Sequence, residues 1–139
     1  MKIYLGGTFD IPHYGHIKFF ETARKIAQTV VVALNTDSFV LQYKGKLPVM
    51  SYKERKEIIE SCMYVSKVVP NAGGYDSSVT IEEVMPDYIL HGDDWIGDEY
   101  LKQLGITQEW LDDRNITLLY TPYNKVTSTT NIKNIIKNI

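Results

Sequence analysis

The chain is organised around one segment, Gly6-Gly7-Thr8-Phe9-Asp10-Ile11-Pro12-His13-Tyr14-Gly15-His16. It follows the short apolar run Ile3-Tyr4-Leu5 and leads into residues 17–23, where apolar side chains recur at helical spacing. The pattern predicts a strand, a glycine turn and a helix. The start of such a helix presents free backbone N–H groups and the positive end of a helix dipole, and both suit a phosphate.

Two histidines, His13 and His16, lie at the predicted helix entry. Their i, i+3 spacing puts both imidazoles on one side of the helix, where both could donate hydrogen bonds to the same phosphoryl oxygens. Gly15 leaves space for a close approach. A metal-binding pair and a purely structural pair are the alternatives, although no cysteine or third histidine lies nearby to complete a zinc shell.

Length and composition predict one soluble globular domain over residues 1–139. The chain has 44% hydrophobic and 23% charged residues, and its formal net charge of −2 predicts no broad basic surface for nucleic acid. The single cysteine, Cys62, lies in a predicted helix and reads as a buried thiol. No stretch has the length and apolar character of a membrane span, so a cytoplasmic location is expected.

Strand and helix patterns alternate along the chain, which predicts an α/β domain with a parallel sheet. The continuous apolar run Val30–Leu34 predicts a strand that is covered on both faces and pairs in parallel with the first strand. Ser51 and Glu54 predict a capping box that opens a helix. The five predicted strands are residues 3–5, 30–34, 64–69 (ending at Pro70), 86–90 and 117–120.

A second phosphate-binding site is predicted near the C-terminal end. Four hydroxyl residues in a row, Thr127–Thr130, precede an amphipathic helix and follow a strand that ends at the ligand edge of the sheet. Residues 42–48 are predicted to form a loop that carries Lys44 and Lys46. Taken by itself, this stretch would be interpreted as a solvated turn. Together, the two helix starts and the lysines predict a triphosphate site.

These motifs make the chain similar to the nucleotidyltransferase superfamily that carries a His-x-Gly-His motif. Within it, the chain most resembles the cytidylyltransferases, specifically the small glycerol-3-phosphate type. The matching residues are Gly7-Thr8-Phe9-Asp10, His13-Tyr14-Gly15-His16, Thr36-Asp37, Lys44, Lys46, Ser51-Tyr52, Arg55-Lys56, Gly92-Asp93-Asp94-Trp95 and Ser128-Thr129-Thr130 with Ile132. The resemblance implies a Rossmann-like five-stranded parallel sheet with helices on both faces, a homodimer and a divalent cation, usually Mg²⁺.

The resemblance also implies an activity and a set of site residues. CMP would pass from CTP to a small phosphorylated acceptor, with release of pyrophosphate. The implied catalytic residues are His13, His16, Lys44 and Lys46. The implied nucleotide-binding residues are Gly7, Thr8, Phe9, Asp10, His13, His16, Asp93, Asp94, Trp95, Lys125, Ser128 and Thr129. The implied substrate-binding residues are Asp37, Lys44, Lys46, Arg55 and Trp95.

The chain departs from the family pattern in its last motif, where the family usually has Arg-Thr-Glu-Gly-Ile-Ser-Thr-Thr. Tyr123 stands in place of the arginine, and Lys125 can replace its charge but not its planar fork. Residues 98–115 resemble cytidylyltransferases that act on phosphonates. The alternatives are therefore a phosphonate or other phospho-alcohol acceptor, an adenylyltransferase of the same superfamily, and a catalytically weak nucleotide-binding protein.

Overall fold

The structure is a computed structural model, and it describes residues 1–72, 76–92, 97–122 and 129–138. The described residues form five strands and seven helices, with one or two helices between successive strands. In chain order they are β1 (Lys2–Gly7), α1 (Tyr14–Ile26), β2 (Thr29–Asn35), α2 (Asp37–Lys44), α3 (Tyr52–Glu60), β3 (Lys67–Asn71), α4 (Ser78–Val84), β4 (Tyr88–Gly92), α5 (Asp98–Leu104), α6 (Gln108–Asp113), β5 (Thr117–Thr121) and α7 (Thr129–Lys137).

The five strands form one parallel sheet in the order β3-β2-β1-β4-β5, a Rossmann-like arrangement. β1 lies at the centre and pairs with β2 from Lys2 to Gly7, while its other edge pairs with β4 at Ile3 and Tyr4. The chain order reverses between these two neighbours of β1. The carboxyl ends of the strands therefore frame a crevice at the residue 6–16 segment, which is where open α/β sheets bind ligands.

Side chains of the buried strands alternate between two apolar layers, one on each face of the sheet. Ile3 and Leu5 pack with α1 and α3, whereas Tyr4 packs with α4, α5 and α6 on the opposite face. Cys62 is partly buried against the first layer. The prediction of helices on both faces is confirmed, and in the described part of the chain no helix is long and apolar enough to cross a membrane.

Two local predictions are wrong: the extent of the third strand, at the edge of the sheet, and the loop predicted at Lys44. The third strand begins at Lys67 and passes through Pro70, which is paired with Leu34, instead of ending there. Because β3 is an edge strand, a residue without an N–H group can lie in it. Its neighbour Asn71 completes the pairing with Asn35.

The second error concerns Lys44, which ends helix α2 instead of lying in a loop. The Thr36 side chain accepts a hydrogen bond from the backbone N–H of Phe39 at 3.3 Å and caps the helix start. Gly45 ends the helix in the left-handed conformation, with φ 75°, which glycine adopts without a steric penalty. Lys46 follows this turn, so both lysines stand at the C-terminal end of α2.

Helix α3 begins as predicted. Ser51 Oγ accepts from the N–H of Glu54 at 3.2 Å, and Glu54 Oε1 accepts from the N–H of Ser51 at 2.9 Å. This capping box fixes where α3 starts and sets its first turn directly after the loop that carries Lys46.

Candidate functional site

The turn after β1 is shaped by the packing of Phe9. The backbone of Phe9 has φ 48°, and its side chain is 9% exposed. A Cβ atom at Gly7 would come within 2.9 Å of the Phe9 ring, so only glycine leaves room for the ring to fold back there. The ring also meets His16 edge-on, with centroids 5.1 Å apart. Gly7 and Phe9 therefore position the histidine.

The two histidines cap the start of α1 together. His13 Nδ1 accepts a hydrogen bond from the N–H of Gly15 at 3.0 Å, and His16 Nδ1 accepts from the N–H of His13 at 3.3 Å. Their rings stack with centroids 3.8 Å apart. Because Nδ1 is the acceptor in both rings, the proton of each neutral imidazole is on Nε2. The structure thus brings together two N–H donors at one helix start.

Both imidazoles are held in the neutral form at neutral pH. Burial lowers the pKa of His13. Burial, followed by repulsion from His13, lowers the pKa of His16 to about 3, although Asp10 acts in the opposite direction. At neutral pH, the two rings can therefore donate hydrogen bonds to an anion without carrying a charge of their own.

This lowered pKa predicts a pH dependence of stability. Unfolded His16 takes up a proton near pH 6.5 and folded His16 near pH 3, so the free energy of unfolding should fall as the pH is lowered between these values. At intermediate pH the residue should contribute about one proton, or ~1.4 kcal/mol per pH unit. Urea unfolding of the parent and His16→Gln between pH 4 and 6 measures this, and parallel pH profiles would contradict it.

Asp10 connects the histidine turn to two other parts of the site. Its side chain is 6% exposed and accepts hydrogen bonds from the N–H groups of Val49 at 2.8 Å and Met50 at 3.0 Å. Lys133 of α7 lies 3.3 Å from the same carboxylate. Burial alone would raise the pKa of Asp10, but these hydrogen bonds and the lysine together lower it. Asp10 therefore fixes the position of α7 and of the loop between α2 and α3, which carries Val49 and Met50.

Thr8 belongs to a chain of polar side chains along the carboxyl edge of the sheet. Its hydroxyl lies 2.9 Å from the hydroxyl of Tyr43 and accepts a hydrogen bond from Asn35 Nδ2 at 3.1 Å. Asn35 in turn accepts from Asn71 Nδ2 at 3.1 Å. The chain links the carboxyl ends of β1, β2 and β3 to α2, so the position of Thr8 depends on all four elements.

Arg55 lies beneath this edge, with a fully buried side chain. Its Nη1 donates to the carbonyl oxygens of Thr8 at 2.8 Å and Asn35 at 2.9 Å, and its Nε donates to that of Met50 at 3.0 Å. Its Nη2 donates to Asp37 at 2.7 Å. In this structure the guanidinium is buried and satisfies backbone carbonyls that need donors, whereas the predicted substrate-binding role of Arg55 stays a prediction. Asp37 keeps 37% of its side chain exposed.

A cavity of about 310 Å³ opens between α2, the loop after it and α7. It brings Thr8 and Asp10 together with the predicted Lys44 and Lys46, whereas neither His13 nor His16 lines it. The described residues that line it are Thr8, Asp10, Val40, Lys44, Lys46, Leu47, Pro48, Lys133, Asn134 and Lys137.

Two lysines of this cavity, Lys133 and Lys137, were not predicted as site residues. They stand four residues apart on α7 and therefore on the same side of that helix. Their i, i+4 spacing after the hydroxyl run was the only local signal that could have identified them. The sequence does not show that α7 meets Asp10.

Several predicted site residues lie outside the described residues, namely Asp93, Asp94, Trp95, Lys125 and Ser128. Thr129 is the first residue of α7, which agrees with the predicted helix start at Thr127–Thr130. Within residues 1–72, 76–92, 97–122 and 129–138, no group of three or more His, Cys, Asp or Glu side chains could hold a metal ion.

Comparison with known proteins extends over nearly the whole chain. The family model described as cytidylyltransferase-like matches residues 4–135. The glycerol-3-phosphate cytidylyltransferase of Bacillus subtilis (strain 168) is 36% identical over 133 residues, which cover 95% of this chain and 94% of the relative. The FAD synthase of Pyrococcus abyssi (strain GE5 / Orsay) is 32% identical over 114 residues, which cover 78% of this chain and 77% of the relative.

Among solved structures, the lipopolysaccharide core biosynthesis protein from Thermoplasma volcanium GSS1 has a similar fold. The TM-score is 0.69 at 28% identity, with 89% of this chain and 98% of that chain covered. The matched family region begins in β1 and ends in α7, so it contains the two helix-capping histidines, most of β1 and all of β2 to β5. On these grounds, the chain belongs to the cytidylyltransferase-like family.

Proposed function

We propose that this chain is a nucleotidyltransferase that moves CMP from CTP onto a small phosphorylated acceptor, with glycerol-3-phosphate as the first candidate. The observation that carries the proposal is a pair of neutral histidines that cap the start of α1, next to a lysine-lined cavity at the carboxyl edge of the sheet. Support for CTP and for this acceptor comes from the B. subtilis relative, which is matched over 95% of the chain.

In the proposed reaction, an oxygen of the acceptor phosphate attacks the α-phosphorus of CTP in line. The bond from that phosphorus to the bridging oxygen breaks, and pyrophosphate leaves with the electron pair. Negative charge builds up on the phosphoryl oxygens, and the Nε2–H groups of His13 and His16 are the donors that would meet it. Since hydrogen bonds to the backbone already hold both rings, little reorganisation is needed during the reaction.

We also propose Mg²⁺ as the divalent cation, and a cytoplasmic homodimer as the working form, as the family resemblance implies. Such a cation would neutralise phosphate charge. No described side chain is assigned as its ligand.

An adenylyltransferase is the second candidate, because the Pyrococcus relative is named FAD synthase. The two candidates differ in the base that is bound. We expect CTP to bind at least tenfold more tightly than ATP in calorimetric titrations with Mg²⁺ present. Equal affinities, or tighter binding of ATP, would favour the adenylyltransferase.

Turnover separates both enzymes from a weak nucleotide-binding protein. Release of pyrophosphate would be measured with CTP or ATP, each combined with glycerol-3-phosphate, other phosphate esters and phosphonates. An enzyme requires release that depends on the acceptor. Tight binding of CTP without release for any acceptor in the panel would support the weak binder.

A further inference from the structure

The cavity between α2 and α7, called the lysine pocket below, carries more positive charge than its own acidic residue can balance. Among the described residues of its lining, four are lysines, Lys44, Lys46, Lys133 and Lys137, and one is acidic, Asp10. Asp10 already accepts two backbone hydrogen bonds and pairs with Lys133. Its single negative charge therefore leaves a net charge of about three positive units in the lining.

Within the described part of the chain, the other three lysines have no acidic partner that would cancel this charge. Among the residues that the structure describes, no carboxylate lies within ion-pair distance of Lys44, Lys46 or Lys137. Like charges gathered in a concave site raise the local concentration of anions. The pocket is thus suited to a small anionic ligand.

The lysines stand on two different walls of the pocket. Lys44 and Lys46 come from the end of α2 and the turn after it, whereas Lys133 and Lys137 form a stripe on α7. Apolar residues also belong to the lining, namely Val40 of α2 and the loop residues Leu47 and Pro48. This arrangement fits a short carbon skeleton with an anionic group at each end.

We propose that the preferred acceptor carries a second anionic group in addition to the phosphate or phosphonate that attacks CTP. Lys133 and Lys137 are then the specificity-determining residues for that group, which is a carboxylate or a second phosphate. The inference rests on the proposed function, narrows the class of its acceptor and ranks an acceptor with two anionic groups ahead of glycerol-3-phosphate. The histidines are absent from the lining, which places this pocket beside the transfer chemistry and not at it.

Two matched probes test the proposal, glycerol-3-phosphate and 3-phosphoglycerate, which differ only by a hydroxymethyl or a carboxylate group at the far carbon. Calorimetry on the whole chain should show 3-phosphoglycerate binding at least tenfold more tightly, as expected for a charge-assisted contact. Lys137→Gln should abolish that preference without changing the affinity for glycerol-3-phosphate. The matched control is Lys102→Gln, an exposed lysine of α5 outside the pocket, which should leave both affinities unchanged.

Two outcomes would overturn the inference. One is equal binding of the two probes. The other is a Lys137→Gln variant that loses affinity for CTP while it keeps the preference between the probes, since the lysine would then serve the triphosphate. Pyrophosphate release is measured separately: failure of release with every acceptor counts against the proposed function, whereas the binding preference still decides the acceptor class.

Discussion

Replacing His16 by alanine is expected to lower kcat by about 10²–10³-fold, which corresponds to ~3–4 kcal/mol in the barrier. The substitution removes one of the two Nε2–H donors that are held towards the developing charge. The chain should still fold, because the lost Nδ1 contact is a single helix cap worth about 1 kcal/mol. Steady-state kinetics with the acceptor found in the pyrophosphate screen measure the effect.

The matched control is Thr107→Ala, which removes a side-chain cap from α6, far from the histidines in the chain. It should cost a similar stability and leave kcat unchanged. A kcat for His16→Ala within about threefold of the parent would remove the assigned role. An equal loss of kcat in His16→Ala and Thr107→Ala would show that the loss comes from a weakened fold.

The largest effect on stability is expected for Arg55→Met, at about 3–5 kcal/mol. The change leaves the carbonyl oxygens of Thr8, Asn35 and Met50 without their donor, and each buried unsatisfied group costs ~1–3 kcal/mol. Urea unfolding at neutral pH measures the loss. Asp37→Asn is the control: the asparagine amide oxygen can still accept from Arg55 Nη2 and the three carbonyls keep their donor, so the loss should be smaller.

This experiment also decides between two roles for Arg55. A residue that binds substrate directly would raise an acceptor KM when it is replaced and leave the free energy of unfolding unchanged. The buried position predicts the opposite, a destabilised chain in which any remaining folded protein keeps its acceptor KM. A variant as stable as the parent would contradict the positioning role.

The sheet and most of its helices could be predicted from the sequence because their signals are local. The run at Val30–Leu34 gives a buried parallel strand, and Ser51 with Glu54 gives a helix start. The stacking of His13 and His16 likewise follows from their i, i+3 spacing. Each of these features depends on neighbours within one or two turns of chain.

The remainder depends on contacts between distant parts of the chain, which no local pattern contains. Arg55 was predicted to bind substrate, and nothing in the sequence around it indicates the carbonyl oxygens of Thr8 and Asn35, to which it donates in the structure. Asp10 accepts from the N–H group of Val49 and pairs with Lys133 of α7, and both partners are distant from it in the chain. Pro70 is tolerated because β3 lies at an edge of the sheet. The residues around Pro70 do not indicate the order of the strands, so this position could not be predicted from them.

The pairing of Asp10 with Lys133 has a consequence for how the molecule is made. Asp10 comes from the first turn of the chain, and Lys133 from α7, the last described helix, so a growing polypeptide carries the first long before the second has been synthesised. The central strand β1 likewise gains its second neighbour in the sheet only after β4 has been synthesised. Such high contact order slows folding, and the lysine pocket is the part that can close only after α7 has left the ribosome.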